Sequence, residues 1–99
     1  MQETPDADKA ARNIAENVYF AFSRQATSFI HPAKEQILLT RLVEAIRPEI
    51  ASSQDMIVVA ANDALVAWEQ ANDEVRGPRV ASLDLTDGSV TMSLPQQPD

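Results

Sequence analysis

The sequence predicts a mainly α-helical fold of the α+β class that ends in a β-hairpin. Apolar side chains recur at helical spacing over about 5–30, 32–47 and 53–76, and the spacing changes to strict alternation over about 80–85 and 90–94. Prolines separate the helical segments, and an Asp-Gly pair separates the two alternating segments. We therefore expect two to three antiparallel helices followed by a C-terminal hairpin.

Length and composition indicate one domain. A hydrophobic fraction of 44% is too high for a fully disordered chain, and 99 residues leave room for a single small core. We expect this helical domain with its hairpin to cover residues 1–94, and residues 95–99 to form a flexible tail.

Helix 1 is expected to begin at Thr4 and Pro5. A threonine hydroxyl caps free backbone N–H groups, and proline suits the first turn because its missing N–H would have no partner there. Pro32 then ends the helix, since the residue before a proline is pushed out of the α region. The predicted buried stripe consists of Ala7, Ala11, Ile14, Ala15, Val18, Phe22, Ala26 and Phe29.

Helix 2 begins at Pro32 in this interpretation and ends before Pro48. A proline inside a helix removes one hydrogen bond and clashes with the preceding turn, so we favour a break at Pro48 over a kink. Ser52 and Asp55 have the spacing of a capping box, which predicts that helix 3 starts near Ser53. The buried side of helix 2 is expected to contain Leu38, Leu39, Leu42, Val43 and Ile46.

Helix 3 has the most regular apolar spacing in the chain, and such a seam packs against another helix. Gly77 and Pro78 are expected to end this helix, with the glycine in the left-handed conformation of a helix cap. The seam recurs at alternating steps of four and three residues and consists of Ile57, Ala61, Ala64, Trp68, Ala71 and Val75.

The predicted register of the hairpin follows from its turn. If Asp87 and Gly88 form a two-residue type I′ turn, the numbers of facing residues add to 175. A shift by one residue would mix the apolar and polar faces. Six apolar side chains then share one face in the pairs Leu85 with Val90, Leu83 with Met92, and Ala81 with Leu94.

The acidity of the chain limits the classes of function. Fifteen acidic against eight basic side chains give a formal net charge of -7, without any run of lysine or arginine. We therefore expect no direct binding to nucleic acid or to anionic lipid. The chain has no cysteine and two glycines, which argues against thiolate metal sites, disulfides and phosphate-binding loops, and we expect neither a metal ion nor a cofactor.

Catalysis would need an activated group that the sequence does not offer. His31 is the only side chain that ordinarily titrates near neutral pH, and between Ile30 and Pro32 we expect it to cap a helix or to pack. The acidic residues are scattered over the helices and are more simply a solvated face. We predict a protein that is not an enzyme. A small enzyme stays open as an alternative if separate helices build a site.

Membrane insertion and export are not expected. The apolar stretch from Met56 to Ala61 is far shorter than the roughly 20 residues that cross a bilayer. The segment from Met1 to Lys9 has three acids before its first base, which is the reverse of a signal peptide. We expect a cytoplasmic protein.

Several apolar side chains fall on helix faces that should be polar. Phe20 lies opposite the centre of the helix 1 stripe, and Val59 and Val66 lie opposite the helix 3 seam. Glu69 and Asp73 are like charges four residues apart near a helix C-terminus, where acids are unfavourable. Because local rules tend to break at functional positions, we predict a partner-binding surface formed by Phe20, Val59, Asp63, Val66, Glu69 and Asp73.

Surplus apolar surface on an acidic chain indicates association with proteins. The leading hypothesis is a homodimeric interaction module that regulates or inhibits a larger protein, whose surface has basic residues around an apolar pocket. An open hairpin edge could pair with a second copy. In size and acidity the chain is similar to bacterial and phage antiactivators and inhibitors, although no motif assigns a family. The alternatives are an assembly subunit of a larger complex and a nucleic-acid mimic.

Overall fold

A computed structural model of the chain describes residues 5–73, 75–84, 87 and 89–93. A mainly helical fold that closes with a hairpin is confirmed. Helix α1 spans Pro5–Gln25, α2 spans Pro32–Ile46, a 3-10 turn spans Arg47–Glu49, α3 spans Gln54–Ala71, and the antiparallel strands β1 and β2 span Arg79–Leu83 and Val90–Ser93.

The elements form a closed ring around one core. Helix α1 packs on α2, α2 on α3, α3 on β1, β1 on β2, and β2 on α1. The Phe22 ring meets the Trp68 ring edge-on at a centroid distance of 5.9 Å, so the inner faces of α1 and α3 also touch. The largest fully buried side chains of the core are Trp68, Phe22, Leu38, Leu42, Ile46, Ile57, Leu65 and Val18.

Helix α1 ends at Gln25, earlier than predicted, because the following residues bond elsewhere. The Thr27 N–H donates to the Arg76 carbonyl at 2.8 Å, and the Thr27 hydroxyl accepts from the Arg76 N–H at 3.0 Å. Phe29, predicted on the buried stripe, therefore lies outside the helix and is 84% exposed. The predicted capping residue Thr4 lies outside the described residues. The buried stripe consists of Ala11, Ile14, Ala15, Val18, Tyr19 and Phe22.

The two ends of α2 follow the prediction. Pro32 occupies the first turn, and the His31 imidazole caps it, with Nδ1 accepting from the Ala33 N–H at 3.3 Å. Pro48 ends α2 in the 3-10 turn, which confirms a break. Of the predicted buried side, Leu38, Leu42 and Ile46 are buried, and Leu39 and Val43 are half-buried.

Helix α3 starts close to its predicted position. Its cap is Ser53, one residue later than the predicted Ser52, and the Ser53 hydroxyl accepts from the Met56 N–H at 3.3 Å. The capping box of Ser52 with Asp55 is thus replaced by a single side-chain cap, which satisfies one of the free N–H groups of the first turn.

The end of α3 differs from the prediction. The helix stops at Ala71, which is exposed rather than on the seam, and the Asn72 side chain donates to the Trp68 carbonyl at 2.9 Å. Gly77 is not in the left-handed region and caps no helix. A Cβ built on it would lie 2.5 Å from Cε1 of Phe22. The close approach of this ring, rather than a special backbone conformation, explains the glycine.

The hairpin forms, but its predicted register is wrong. A bulge lies between Val80 and Ser82, and Leu83 pairs with Val90 instead of Met92. Side chains alternate along a strand, so this shift of two residues keeps Leu83 and Met92 on the core side, while the bulge leaves Ala81 exposed. Leu85, Thr86, Gly88 and Leu94 lie outside the described residues. The observed pairs are Arg79 with Ser93, Val80 with Met92, Ser82 with Thr91, and Leu83 with Val90.

Asn62 of α3 covers part of the outer edge of β1. Its Nδ2 donates to the Val80 carbonyl at 3.1 Å, and its Oδ1 accepts from the Val80 N–H at 2.8 Å. These are the backbone groups that an additional strand would use. Pairing of a second copy with the β1 edge, one form of the expected edge pairing, is therefore blocked at Val80.

Replacing Gly77 by alanine should destabilise the fold. The new Cβ would press on a fully buried ring, and overpacking of this kind costs about 1–3 kcal/mol in the free energy of unfolding. Urea denaturation followed by circular dichroism measures the loss. The matched control is the double variant Gly77→Ala/Phe22→Leu, which should lose less than the sum of the two single losses. Additive losses would contradict the close ring contact.

Candidate functional site

The exposed large apolar side chains lie on all three helices and on the connection after α1. Single exposed apolar residues are ordinary on protein surfaces, so their arrangement decides which of them matter. Only those on α3 repeat at regular spacing. The set consists of Phe20, Phe29, Ile37, Met56, Val59 and Val66.

Helix α3 has apolar side chains on two opposite faces. Its inner face is buried in the core through Ile57, Ala61, Ala64, Leu65 and Trp68. Its outer face has an exposed row at alternating steps of three and four residues, the spacing of helix-packing positions in a heptad repeat. This row, the α3 outer stripe, consists of Met56, Val59, Asp63, Val66 and Gln70.

Asp63 is the central residue and the only charge of the α3 outer stripe. It lies between Val59 and Val66, and no hydrogen bond or salt bridge joins its carboxylate to another described residue. It also lines a shallow groove of ≈ 440 Å³ between α2 and α3. The other lining residues of this groove are Arg41, Glu44, Ala45, Ala60 and Ala64.

Phe20 lies in a second shallow groove, between α1 and the hairpin. Its side chain is 62% exposed, and its ring centroid is 6.0 Å from that of Tyr19. The Asp87 carboxylate, which lines the same groove, accepts from the Ser89 N–H at 2.9 Å, and this bond lowers the pKa of Asp87. The Phe20 groove, of ≈ 500 Å³, is lined by Asn17, Phe20, Ala21, Arg24, Asp87, Ser89 and Val90.

The Phe20 groove and the α3 outer stripe are on opposite sides of the molecule. Phe22 and Trp68 touch across the core. Phe20 precedes Phe22 by two residues and Val66 precedes Trp68 by two, and residues two apart on a helix lie about 200° apart. The two outer side chains therefore point away from each other, and the residues predicted as one surface are divided between two.

Glu69, predicted on the rim of the binding surface, is instead buried. Its Oε1 accepts from Nη2 of Arg79 at 2.7 Å, and its Oε2 accepts from Nη1 of Arg79 at 3.0 Å and from the Gly77 N–H at 2.9 Å. The hydrogen bonds to Glu69 raise the pKa of Arg79 above its ordinary value. This acid near the helix end is stabilised by a cation ten residues further on, which helical spacing does not reveal.

Asp73 is exposed, but it follows the last residue of α3 and lies outside the α3 outer stripe. Its carbonyl accepts from Nη1 of Arg76 at 3.2 Å. The structure thus brings Val59, Asp63 and Val66 together, as predicted. It adds Met56 and Gln70, which the same heptad spacing would have identified.

The described residues offer little chemistry for metal binding. Among them, no group of three histidine, cysteine or acidic side chains is placed to hold a metal ion. No helix in the described ranges has the length and apolar character needed to cross a membrane.

Burial raises the pKa of the Tyr19 phenol, and the nearby Glu35 charge raises it further, so this group stays neutral at physiological pH. A third groove, between α1 and α2, has a mixed lining of Arg12, Glu16, Gln36, Leu39, Thr40, Val43 and Glu44.

Comparisons of the chain with protein-family models, with curated proteins and with solved structures gave no match.

Two acids of α3 should respond differently to loss of charge. Glu69→Gln weakens a buried, charge-assisted network and should lower the free energy of unfolding by about 1.5–3 kcal/mol. Asp63→Asn makes the same chemical change on the exposed side of the same helix. It should alter the free energy of unfolding by less than about 0.5 kcal/mol. Thermal and urea denaturation of both variants measure the difference. Equal losses would contradict the structural role of Glu69.

Proposed function

We propose that this chain is a non-enzymatic interaction module that regulates a larger protein by binding it through the α3 outer stripe. The observation that carries the proposal is the heptad-spaced row of exposed side chains on the face of α3 opposite the core. A helix that is apolar on one side needs one packing partner, whereas α3 has apolar side chains for two.

The energetics support this surface as the centre of an interface. Full burial of a side chain of this size is worth about 1.5–3 kcal/mol relative to full exposure. Because Met56, Val59 and Val66 are between 37% and 52% exposed, covering each of them would contribute roughly half of that value, and a few such residues dominate most protein interfaces. Helix α3 is already packed on α2 and β1. Because α3 is already held in place, it would lose little conformational freedom on binding, and this favours a high affinity.

The acidity of the surroundings supports a partner with basic residues around an apolar site. Asp63 has no described partner, and the net charge of the chain is -7. Charges of this kind steer encounter with an oppositely charged surface and disfavour acidic partners. Regulation or inhibition would follow if the bound surface is one that the partner otherwise uses for its own assembly or ligand.

We further propose that the chain forms a homodimer through the Phe20 groove. This groove has an exposed aromatic ring with Arg24 on α1 and Asp87 in the hairpin connection. In a two-fold dimer the same patch occurs twice, so Arg24 of each copy can face Asp87 of the other. The α3 outer stripe stays free for another protein because it points the opposite way.

The second candidate is an assembly subunit of a larger complex. The presence of two separate outer surfaces favours it, since neighbouring subunits could cover both permanently. Light scattering on the purified protein separates the two functions. A regulator is expected as a monodisperse dimer, whereas an assembly subunit is expected to aggregate or to form larger oligomers.

Disrupting the α3 outer stripe should weaken partner binding without unfolding the protein. Val59→Asp places a charge in the stripe and should weaken the complex by about 1–3 kcal/mol, while Ile37→Asp makes the same change at an exposed site on α2. The two variants are compared by affinity capture from extracts of the native cell, and the amount of bound protein is quantified. If one stoichiometric protein is captured equally by both variants and by the wild type, the α3 outer stripe is not the interface.

Charge exchange tests the proposed dimer. Arg24→Asp and Asp87→Lys should each weaken self-association, because each creates like-charge contacts across the two-fold axis. An equal mixture of the two variants should form heterodimers, since opposite charges then face each other at both contacts. Sedimentation at micromolar concentration measures these species. A wild type that sediments only as a monomer would reject the dimer.

A further inference from the structure

We infer that the α3 outer stripe docks an amphipathic helix of its partner, with apolar residues at heptad spacing and one lysine or arginine at its centre, opposite Asp63. This inference rests on the proposed function and specifies the chemistry of the segment that is bound. It is carried by the spacing of the stripe, by the small residues beside it and by the position of its single charge.

The spacing fits a helix better than a strand or a loop. Steps of three and four residues continue along α3 from Met56 to Gln70, and this spacing lets the side chains of one helix insert between those of another. Ala60 and Ala67 flank the row on one side, at equivalent positions of the two heptads. Their small side chains allow the backbone of a second helix to approach closely.

Addition of a partner strand has less support in the structure. The outer edge of β1 is occupied at Val80 by both polar atoms of the Asn62 amide. The α3 outer stripe, in contrast, continues into the groove beside it, where Ala60 and Ala64 line the floor between α2 and α3. A ridge beside a groove is the surface that helix packing requires.

A second copy of this chain is a poor occupant of the α3 outer stripe. In a parallel pair of stripes, Asp63 would lie opposite Asp63 of the second copy. In an antiparallel pair it would lie against Val59 or Val66 of the second copy, without a cation to pair with. Both arrangements bury an uncompensated carboxylate, which is unfavourable.

The charge of the stripe therefore identifies the occupant. Arg41 and Glu44 line the groove next to Asp63, but no salt bridge joins Asp63 to any residue in the described ranges. A lysine or arginine on the docked helix would supply the missing opposite charge. One polar position within an apolar seam also fixes the register of two helices, so the same contact would align the partner.

Selection from a peptide library tests this inference. The probe is a displayed library of helical peptides of about 20 residues, with leucine fixed at the heptad positions and all amino acids allowed at the central one. We expect at least fivefold enrichment of lysine and arginine at the central position on the wild type. On the Asp63→Lys variant, aspartate and glutamate should be enriched instead. Circular dichroism confirms that each variant is folded.

The outcomes separate this inference from the proposed function. Peptides that bind the wild type and are lost on Val59→Asp, but show no charge preference, would overturn the basic partner helix and leave the stripe as a docking surface. Failure of the wild type to enrich any peptide, or binding that is unchanged by Val59→Asp, would overturn the docked helix, whereas the proposed function is overturned separately, if Val59→Asp captures the partner protein as well as the wild type does. For a selected peptide, exchange of its central lysine for glutamate should weaken binding at least tenfold, measured by fluorescence anisotropy.

Discussion

The rest of this structure depends on the hydrogen bonds that the buried Glu69 carboxylate accepts. A buried carboxylate is tolerated only when it is paired and hydrogen-bonded, and here both of its oxygens are bound by the Arg79 guanidinium and the Gly77 N–H. These bonds join the last turn of α3 to the start of β1. Gly77, which this connection holds, lies against Phe22, and the strand that begins after it leads into the hairpin that closes the ring.

The same connection helps to hold α3 in place, which suits the binding role that we propose for its outer side. Trp68 and its neighbours anchor the inner face in the core, and the Trp68 indole N–H donates to the Lys34 carbonyl of α2 at 3.2 Å. Asn62 adds two hydrogen bonds to β1. A helix held on several sides presents its remaining face in one conformation, which lowers the entropic cost of binding.

Three acids near one another in sequence have different environments. Glu69 is buried and paired, Asp63 is exposed at the centre of an apolar row, and Asp73 lies beyond the helix end. Their residue types and helical spacing predict that all three lie on the rim of one partner-binding surface. The unfavourable position of Glu69 near a helix C-terminus did mark a residue of special importance, but its importance is structural, because its cation comes from the following strand.

The sequence by itself determined the features that depend on neighbours along the chain. The helix breaks follow from Pro32 and Pro48, and the outer row of α3 follows from the spacing of Val59, Asp63 and Val66. Alternation along the strands accounts for the core-facing Leu83, Val90 and Met92, but not for Ala81, which the bulge leaves exposed. Only the tertiary structure decided the end of α3, the register of the hairpin, the burial of Glu69 and the separation of Phe20 from the α3 outer stripe. The end of α3 is marked by a side-chain hydrogen bond from Asn72 to the Trp68 carbonyl that apolar periodicity does not reveal. The other three depend on contacts between different elements, and local propensity and periodicity carry no information about such contacts.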